Sequence, residues 1–157
     1  APDHERLRPF RFTVLQGPDK EAFGQVLADA YAARCAAAGT EIVPAKQEKE
    51  RTKLGRAPLV LVVSAVRQPS ASVPWDEQLT AAAAATENAC LAATALGFGS
   101  MWRTGDPAYD PNVKAALGLA PTDAIVAWLY LGSYRDGAAP PPNDPPLDGL
   151  LLPWPRS

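Results

Sequence analysis

Polar and apolar residues alternate from Arg11 to Gln16, a pattern that predicts a half-buried strand. Gly17-Pro18-Asp19 breaks that strand and supplies an N-cap for a helix. Phe23, Val26, Leu27, Ala30, Tyr31 and Cys35 then recur at three- and four-residue spacing. They form the buried face of an amphipathic helix, closed by Gly39. Pro44 to Arg56 interleaves lysine, glutamate and arginine, with Leu54 almost alone as an anchor. Such a segment reads first as a solvated surface helix with Pro44 in its first turn. A helix so poorly anchored can also serve as a flap over a pocket.

Leu59 to Val66 is β-branched and continuously apolar, which predicts a central strand covered on both faces. After a loop from Pro69 to Pro74, Trp75 to Leu96 forms the longest helix. Asp76 and Glu77 occupy its first turn, where the macrodipole favours them. Its middle, Ala81 to Ala85, is small on every side, so it must pack against several neighbours, one of which a second subunit can supply. Phe98 to Trp102 is a short strand, Pro111 to Leu117 a short helix closed by Gly118, and Ala124 to Gly132 a further central strand. This order lacks the strict alternation of a doubly wound fold and predicts an α+β domain with a mixed sheet. We expect the domain to occupy residues 1–137. Residues 138–157 form a proline-rich arm carrying Leu147, Leu150, Leu151, Leu152 and Trp154, which packs on its own domain or wraps a partner subunit.

Composition narrows the function. A chain of 157 residues, 47% apolar, is about one globular domain. Its net charge of −2 supplies no field for a polyanion, so nucleic acid is not an expected partner. The longest apolar run, Ala57 to Val66, is too short to span a bilayer, and the first residues do not read as a signal peptide. Cys35 and Cys90 are too few for a disulfide framework or a zinc site, and each is expected to pack in the core.

The chain has no Gly-x-Ser-x-Gly elbow, no Walker loop and no Cys-x-x-Cys. A single histidine and scattered acids give no metal site. Gly97-Phe98-Gly99 starts like a dinucleotide fingerprint but follows a helix and lacks the third glycine. If the protein is an enzyme, a bound cofactor carries the difficult step, and no side chain is expected to act as a catalytic acid, base or nucleophile.

Two stretches carry a resemblance: Gly97-Phe98-Gly99-Ser100-Met101-Trp102-Arg103-Thr104-Gly105 and the opening Ala1-Pro2-Asp3-His4. Pro9-Phe10-Arg11-Phe12, Arg56-Ala57-Pro58, Val73-Pro74-Trp75-Asp76-Glu77-Gln78 and Leu129-Tyr130-Leu131-Gly132 extend it along the chain. In these motifs the sequence resembles the FMN-dependent nitroreductases of the YdjA-like NAD(P)H type. The resemblance implies an α+β homodimer with a mixed, mainly antiparallel sheet flanked by helices, in the cytoplasm, with FMN at the subunit interface. It implies ping-pong electron transfer from NADH or NADPH to a nitroaromatic, quinone or similar small molecule. By resemblance His4 is a polar flavin contact, and Trp102, Arg103 and Thr104 form a second flavin-contacting segment. The family also implies a first helix and an Arg-Arg-Ser segment that grip the FMN phosphate ahead of the Pro-Asp-His loop. The sequence given begins inside that loop, and the chain as written is expected to bind FMN weakly or not at all. Two rival readings remain open. One is a cofactor-free binding protein on the same fold; the other is a flavin enzyme with a different reaction, such as flavin reduction or dehalogenation.

Overall fold

A four-stranded antiparallel sheet organises the chain in this computed structural model, which describes residues 1–68, 72–135, 146–150, 152 and 154. Its strands are β1 (Phe10–Gln16), β2 (Leu59–Ala65), β3 (Gly99–Arg103) and β4 (Ala124–Gly132), in spatial order β1-β2-β4-β3. All three pairings among the described residues are antiparallel. The two continuously apolar segments are therefore the central strands, as burial on both faces requires. The edges are more open: β1 exposes Phe12 and Val14, and β3 exposes Met101 and Trp102.

Helix α1 (Pro18–Ala38) covers one face of the sheet. Phe23 and Leu27 pack with Val60, Val62 and Trp128, and the Phe23 and Trp128 rings lie 6.0 Å apart. The apolar stripe read from the sequence is this face, except that Val26 and Tyr31 are only half-buried. The helix starts differently from expectation. Gly17 takes the capping position at φ 51 with no side-chain cap, Pro18 begins the helix, and Asp19 sits in the first turn. A positive φ there is one that glycine adopts without steric cost. Gly39 closes the helix in the left-handed region at φ 63, as predicted.

The charged segment after it divides in two. Helix α2 (Pro44–Thr52) buries none of its residues, and a 3-10 turn (Lys53–Arg56) carries Leu54 into the core at 1% exposure. α2 lies on α1 at Gly24, where an added Cβ would stand 2.0 Å from the Arg51 carbonyl oxygen. The missing side chain at Gly24 is thus what lets the two helices touch.

Helix α3 (Trp75–Ala95) packs on all four strands and buries Ala81, Ala82, Ala85 and Thr86. Leu91 and Leu96 are exposed, so this helix is not covered all round within one chain. Helix α4 (Pro111–Ala116) is capped by Asp110, whose carboxylate accepts from the Asn112 and Val113 amides at 2.8 and 3.3 Å. Arg34 of α1 pairs with the same buried carboxylate and ties the short helix to the long one.

Cys35 is buried as expected, whereas Cys90 is only half-buried. Among the described residues no helix is long and apolar enough to cross a membrane, and no cluster of ligating side chains forms a metal site. The expected arm, residues 138–157, falls largely outside the described residues. Of its described residues, Leu147, Leu150, Leu152 and Trp154 are exposed.

Candidate functional site

Strand β3 positions the candidate site, because it is short, lies at the sheet edge and ends at Arg103. Side chains alternate between faces along a strand, and directly paired residues share a face. Arg103 pairs with Trp128, whose ring meets Phe23 of α1; Trp102 pairs with Leu129. Arg103 therefore faces the α1 and α2 side, and Trp102 faces the α3 side. Two neighbours in sequence are aimed into different surroundings.

On the α1 and α2 side lie two adjoining clefts of about 350 and 270 Å3 that share Arg56, Arg103 and Tyr130. Met101 and Pro58 give the larger cleft an apolar wall, and Thr104 lines the smaller. Gly132 contributes by close approach: a Cβ there would meet the Pro58 ring at 2.8 Å. Burial pushes the Tyr130 hydroxyl above its ordinary pKa, and the Arg56 and Arg103 guanidiniums pull it back down. Neither arginine forms an ion pair among the described residues.

Trp102 is 38% exposed, and its indole N–H donates to the Val126 carbonyl at 3.2 Å. The donor is thus engaged, which leaves the ring face for a ligand. His4 lies elsewhere, in a depression with Asp3, Glu77 and Ala81 at the start of α3. It sits in a short 3-10 turn (His4–Arg6) in which Glu5 and Arg6 have positive φ, as does Arg8 just after it, values that cost strain in non-glycine residues. Three bonds hold this turn: Asp3 accepts from the Arg8 amide, Ser72 donates to Glu5 at 2.8 Å, and His4 Nδ1 meets Glu77 Oε2 at 2.7 Å. The Glu77 hydrogen bond raises the His4 pKa and leaves Nε2 as its free ring nitrogen.

The four residues singled out from the sequence are therefore not gathered in one cleft. Arg103 and Thr104 share one, while His4 and Trp102 each have other surroundings. Arg56, Trp128 and Tyr130 join Arg103 and Thr104, and no sequence reasoning had assigned them a site. The β3–β4 register is the signal that reveals them, and it is not encoded locally. Chemically, these residues offer cations without ion-pair partners among the described residues, two hydroxyls and an adjoining apolar wall. That combination suits a flat heteroaromatic ligand bearing anionic or carbonyl oxygens, so the chain's residues fit a flavin.

Comparison with known proteins agrees with this fold. The Nitroreductase family model matches residues 1–133. The chain is 36% identical over 145 residues to the Escherichia coli (strain K12) protein named "Putative NAD(P)H nitroreductase YdjA", spanning 92% of this chain and 76% of that one. A nitroreductase-like family protein from Bacillus cereus superposes with a TM-score of 0.71 at 22% identity, over 96% of this chain and 76% of that chain. A nitroreductase with bound FMN from Bacteroides fragilis superposes with a TM-score of 0.66 at 22% identity, over 97% and 80%. With its matched positions running from the His4 turn through the end of β4, this chain belongs to the nitroreductase family.

Proposed function

We propose that this chain is an FMN-dependent oxidoreductase that takes electrons from NADH or NADPH and passes them to a nitroaromatic, quinone or related small molecule. The carrying observation is Arg103 and Thr104 at the end of β3, beside a cleft, with Arg103 free of ion-pair partners among the described residues, in a chain of this family. A relative named for NAD(P)H and a solved fold neighbour holding FMN support the choice of donor and cofactor. Bound FMN would accept hydride from the nicotinamide and deliver electrons to the acceptor.

The residues of this chain bind and orient. Arg103 places a permanent cation beside the flavin's electron-rich edge, and Thr104 adds a hydroxyl. Trp102 supplies a ring face, and His4 Nε2 a polar contact. His4 and Arg103 face different clefts, so one ligand touching both draws them from two copies of the chain. A homodimer satisfies this, and it would also cover Leu91, Leu96 and Trp154, which are exposed in the single chain. Donor and acceptor then use one site in turn, a ping-pong sequence, and a cytoplasmic location fits such a reaction.

The test is FMN titration of the wild type and Arg103→Ala, followed by flavin fluorescence. Loss of one charge-assisted contact weakens binding about ten- to a hundredfold. Because Arg103 is exposed, stability should stay within about 0.5 kcal/mol. Unchanged FMN affinity with a sharply lowered melting temperature would make Arg103 a structural residue and remove the main support for this reading.

A further inference from the structure

The His4 turn is held against its own backbone preference. Glu5, Arg6 and Arg8 lie in the left-handed region at φ 57, 56 and 47, where a side chain costs free energy. Such values persist only where the surroundings over-determine them. Backbone fixes the far end of the turn: Pro9 is buried, and its carbonyl accepts from the Val66 amide at 2.6 Å, just past the end of β2. Side chains hold the rest. Asp3 accepts from the Arg8 amide within the turn, and two bonds leave it. Ser72 donates to Glu5 at 2.8 Å, and His4 Nδ1 meets Glu77 Oε2 at 2.7 Å.

Both outgoing bonds lead to the first turn of α3. Glu77 reaches the ring directly, and Ser72 is reached through Gln78. This buried amide accepts from the Gln68 amide at 2.9 Å and donates to the Val73 and Gln68 carbonyls at 3.0 and 3.4 Å. It thereby clamps Gln68 and Val73, which flank Ser72 on either side. Consecutive helix residues point about 100° apart, so Glu77 addresses the ring while Gln78 addresses the loop. Helix polarity accounts for an acid in this turn, and Asp76 serves it as well as Glu77 does. It does not account for a bond to a ring 73 positions away. That bond selects the tautomer: in the neutral ring Nδ1–H donates to Glu77, and Nε2 keeps its lone pair.

We infer that Glu77 is a positioning residue that fixes the orientation and tautomer of the His4 ring, with Gln78 steadying the same turn through Ser72, a role that builds on His4 as the flavin contact proposed above. A flavin's pyrimidine edge carries an N–H donor between two carbonyl acceptors. Nε2 with its lone pair accepts from that donor, whereas the opposite tautomer would present a second donor to it. Holding the ring in advance also spares the binding step the cost of ordering it. The charged groups around the ring are Glu77 from α3 and Asp3 and Glu5 from its own turn, all of them acids. They favour the protonated ring, so the tautomer is read above its titration.

The experiment uses the full 157-residue chain carrying 15N-histidine, first without flavin. His4 is the only histidine, so two-bond proton–nitrogen correlations identify Nδ1 and Nε2 directly. Above the ring's titration Nδ1 should carry the hydrogen in the wild type. Glu77→Ala, at an exposed position, should turn this into a mixture of tautomers, while Asp76→Ala leaves it unchanged. Gln78→Leu should speed hydrogen exchange of the Arg8 amide about two- to tenfold. Should that variant fail to fold, Ser72→Ala removes the same tether at an exposed position. FMN titration then joins the ring to the flavin. His4→Ala and Glu77→Ala should each weaken binding about two- to tenfold. The double variant should bind no worse than His4→Ala alone, because Glu77 acts through the ring. A wild-type ring protonated mainly on Nε2, a tautomer unchanged in Glu77→Ala, or a double variant weakened by both factors would each overturn the role of Glu77. Unchanged Arg8 exchange in Gln78→Leu and Ser72→Ala would overturn that of Gln78. A tautomer that follows Glu77 while His4→Ala leaves FMN affinity unchanged would overturn His4 as a flavin contact and keep the hold of Glu77 on the ring, so the two failures are told apart.

Discussion

Replacing Gly24 by alanine tests whether the close α1–α2 contact stabilises the fold. The new Cβ would stand 2.0 Å from the Arg51 carbonyl oxygen, where real contacts stop at about 3.0 Å. One element must retreat by about the 1 Å between those values. The obstacle is helix backbone, so no side-chain rotation relieves it. Alanine in a helix interior recovers about 0.8–1 kcal/mol of propensity over glycine. Overpacking of a tight contact costs about 1–3 kcal/mol, and any strain passed along to the fully buried Leu54 adds to it. The net expectation is a loss of up to about 2 kcal/mol, or up to roughly 8 °C in melting temperature for a chain of this length. Thermal unfolding followed by far-UV circular dichroism measures it. Gly55→Ala is the control: it lies in the next turn of the same segment with nothing within 4 Å of its added Cβ, and should be nearly neutral. A Gly24→Ala melting temperature at or above wild type would mean that α2 moves aside at no cost. The close α1–α2 contact at Gly24 would then contribute nothing to stability.

Two further outcomes follow from single contacts. His4 is the only histidine, so its ring titration is read from one NMR signal without assignment. Its pKa is raised by Glu77, so the contact's stabilising effect is complete below His4's ordinary range and fades as pH rises through the raised value. Glu77→Gln should return the His4 pKa towards ordinary, and an unshifted titration would refute the pairing. Asp110→Ala removes the cap of α4 and the partner of Arg34 together. A loss of about 2 kcal/mol is expected in denaturant unfolding, because Arg34 still reaches water at 30% exposure. A change below about 0.5 kcal/mol would show that neither bond contributes.

The elements themselves were legible in the sequence. Continuous apolar runs marked β2 and β4 as central, and the spacing from Phe23 to Cys35 marked the buried face of α1. What stayed hidden depends on pairing between distant segments. Trp102 and Arg103 read as one flavin-facing unit, yet their opposite orientations follow from the position of β3 at the edge beside β4. Arg56 looked like the end of a solvated helix until the break at Lys53 and the docking of Leu54 placed it beside Tyr130. The His4–Glu77 bond spans 73 positions, and no local pattern announces it. A close helix crossing leaves no trace in hydrophobic periodicity, so the role of Gly24 emerges only from the α1–α2 contact.

NADPH or NADH oxidation by the chain at saturating FMN, with a nitroaromatic or quinone as acceptor, tests the central claim most directly. The account predicts oxidation that requires both FMN and the chain, falls in Arg103→Ala at limiting FMN, and gives parallel double-reciprocal lines as the acceptor is varied. Bound FMN with no oxidation of either nicotinamide, or no FMN bound at any concentration, would contradict it.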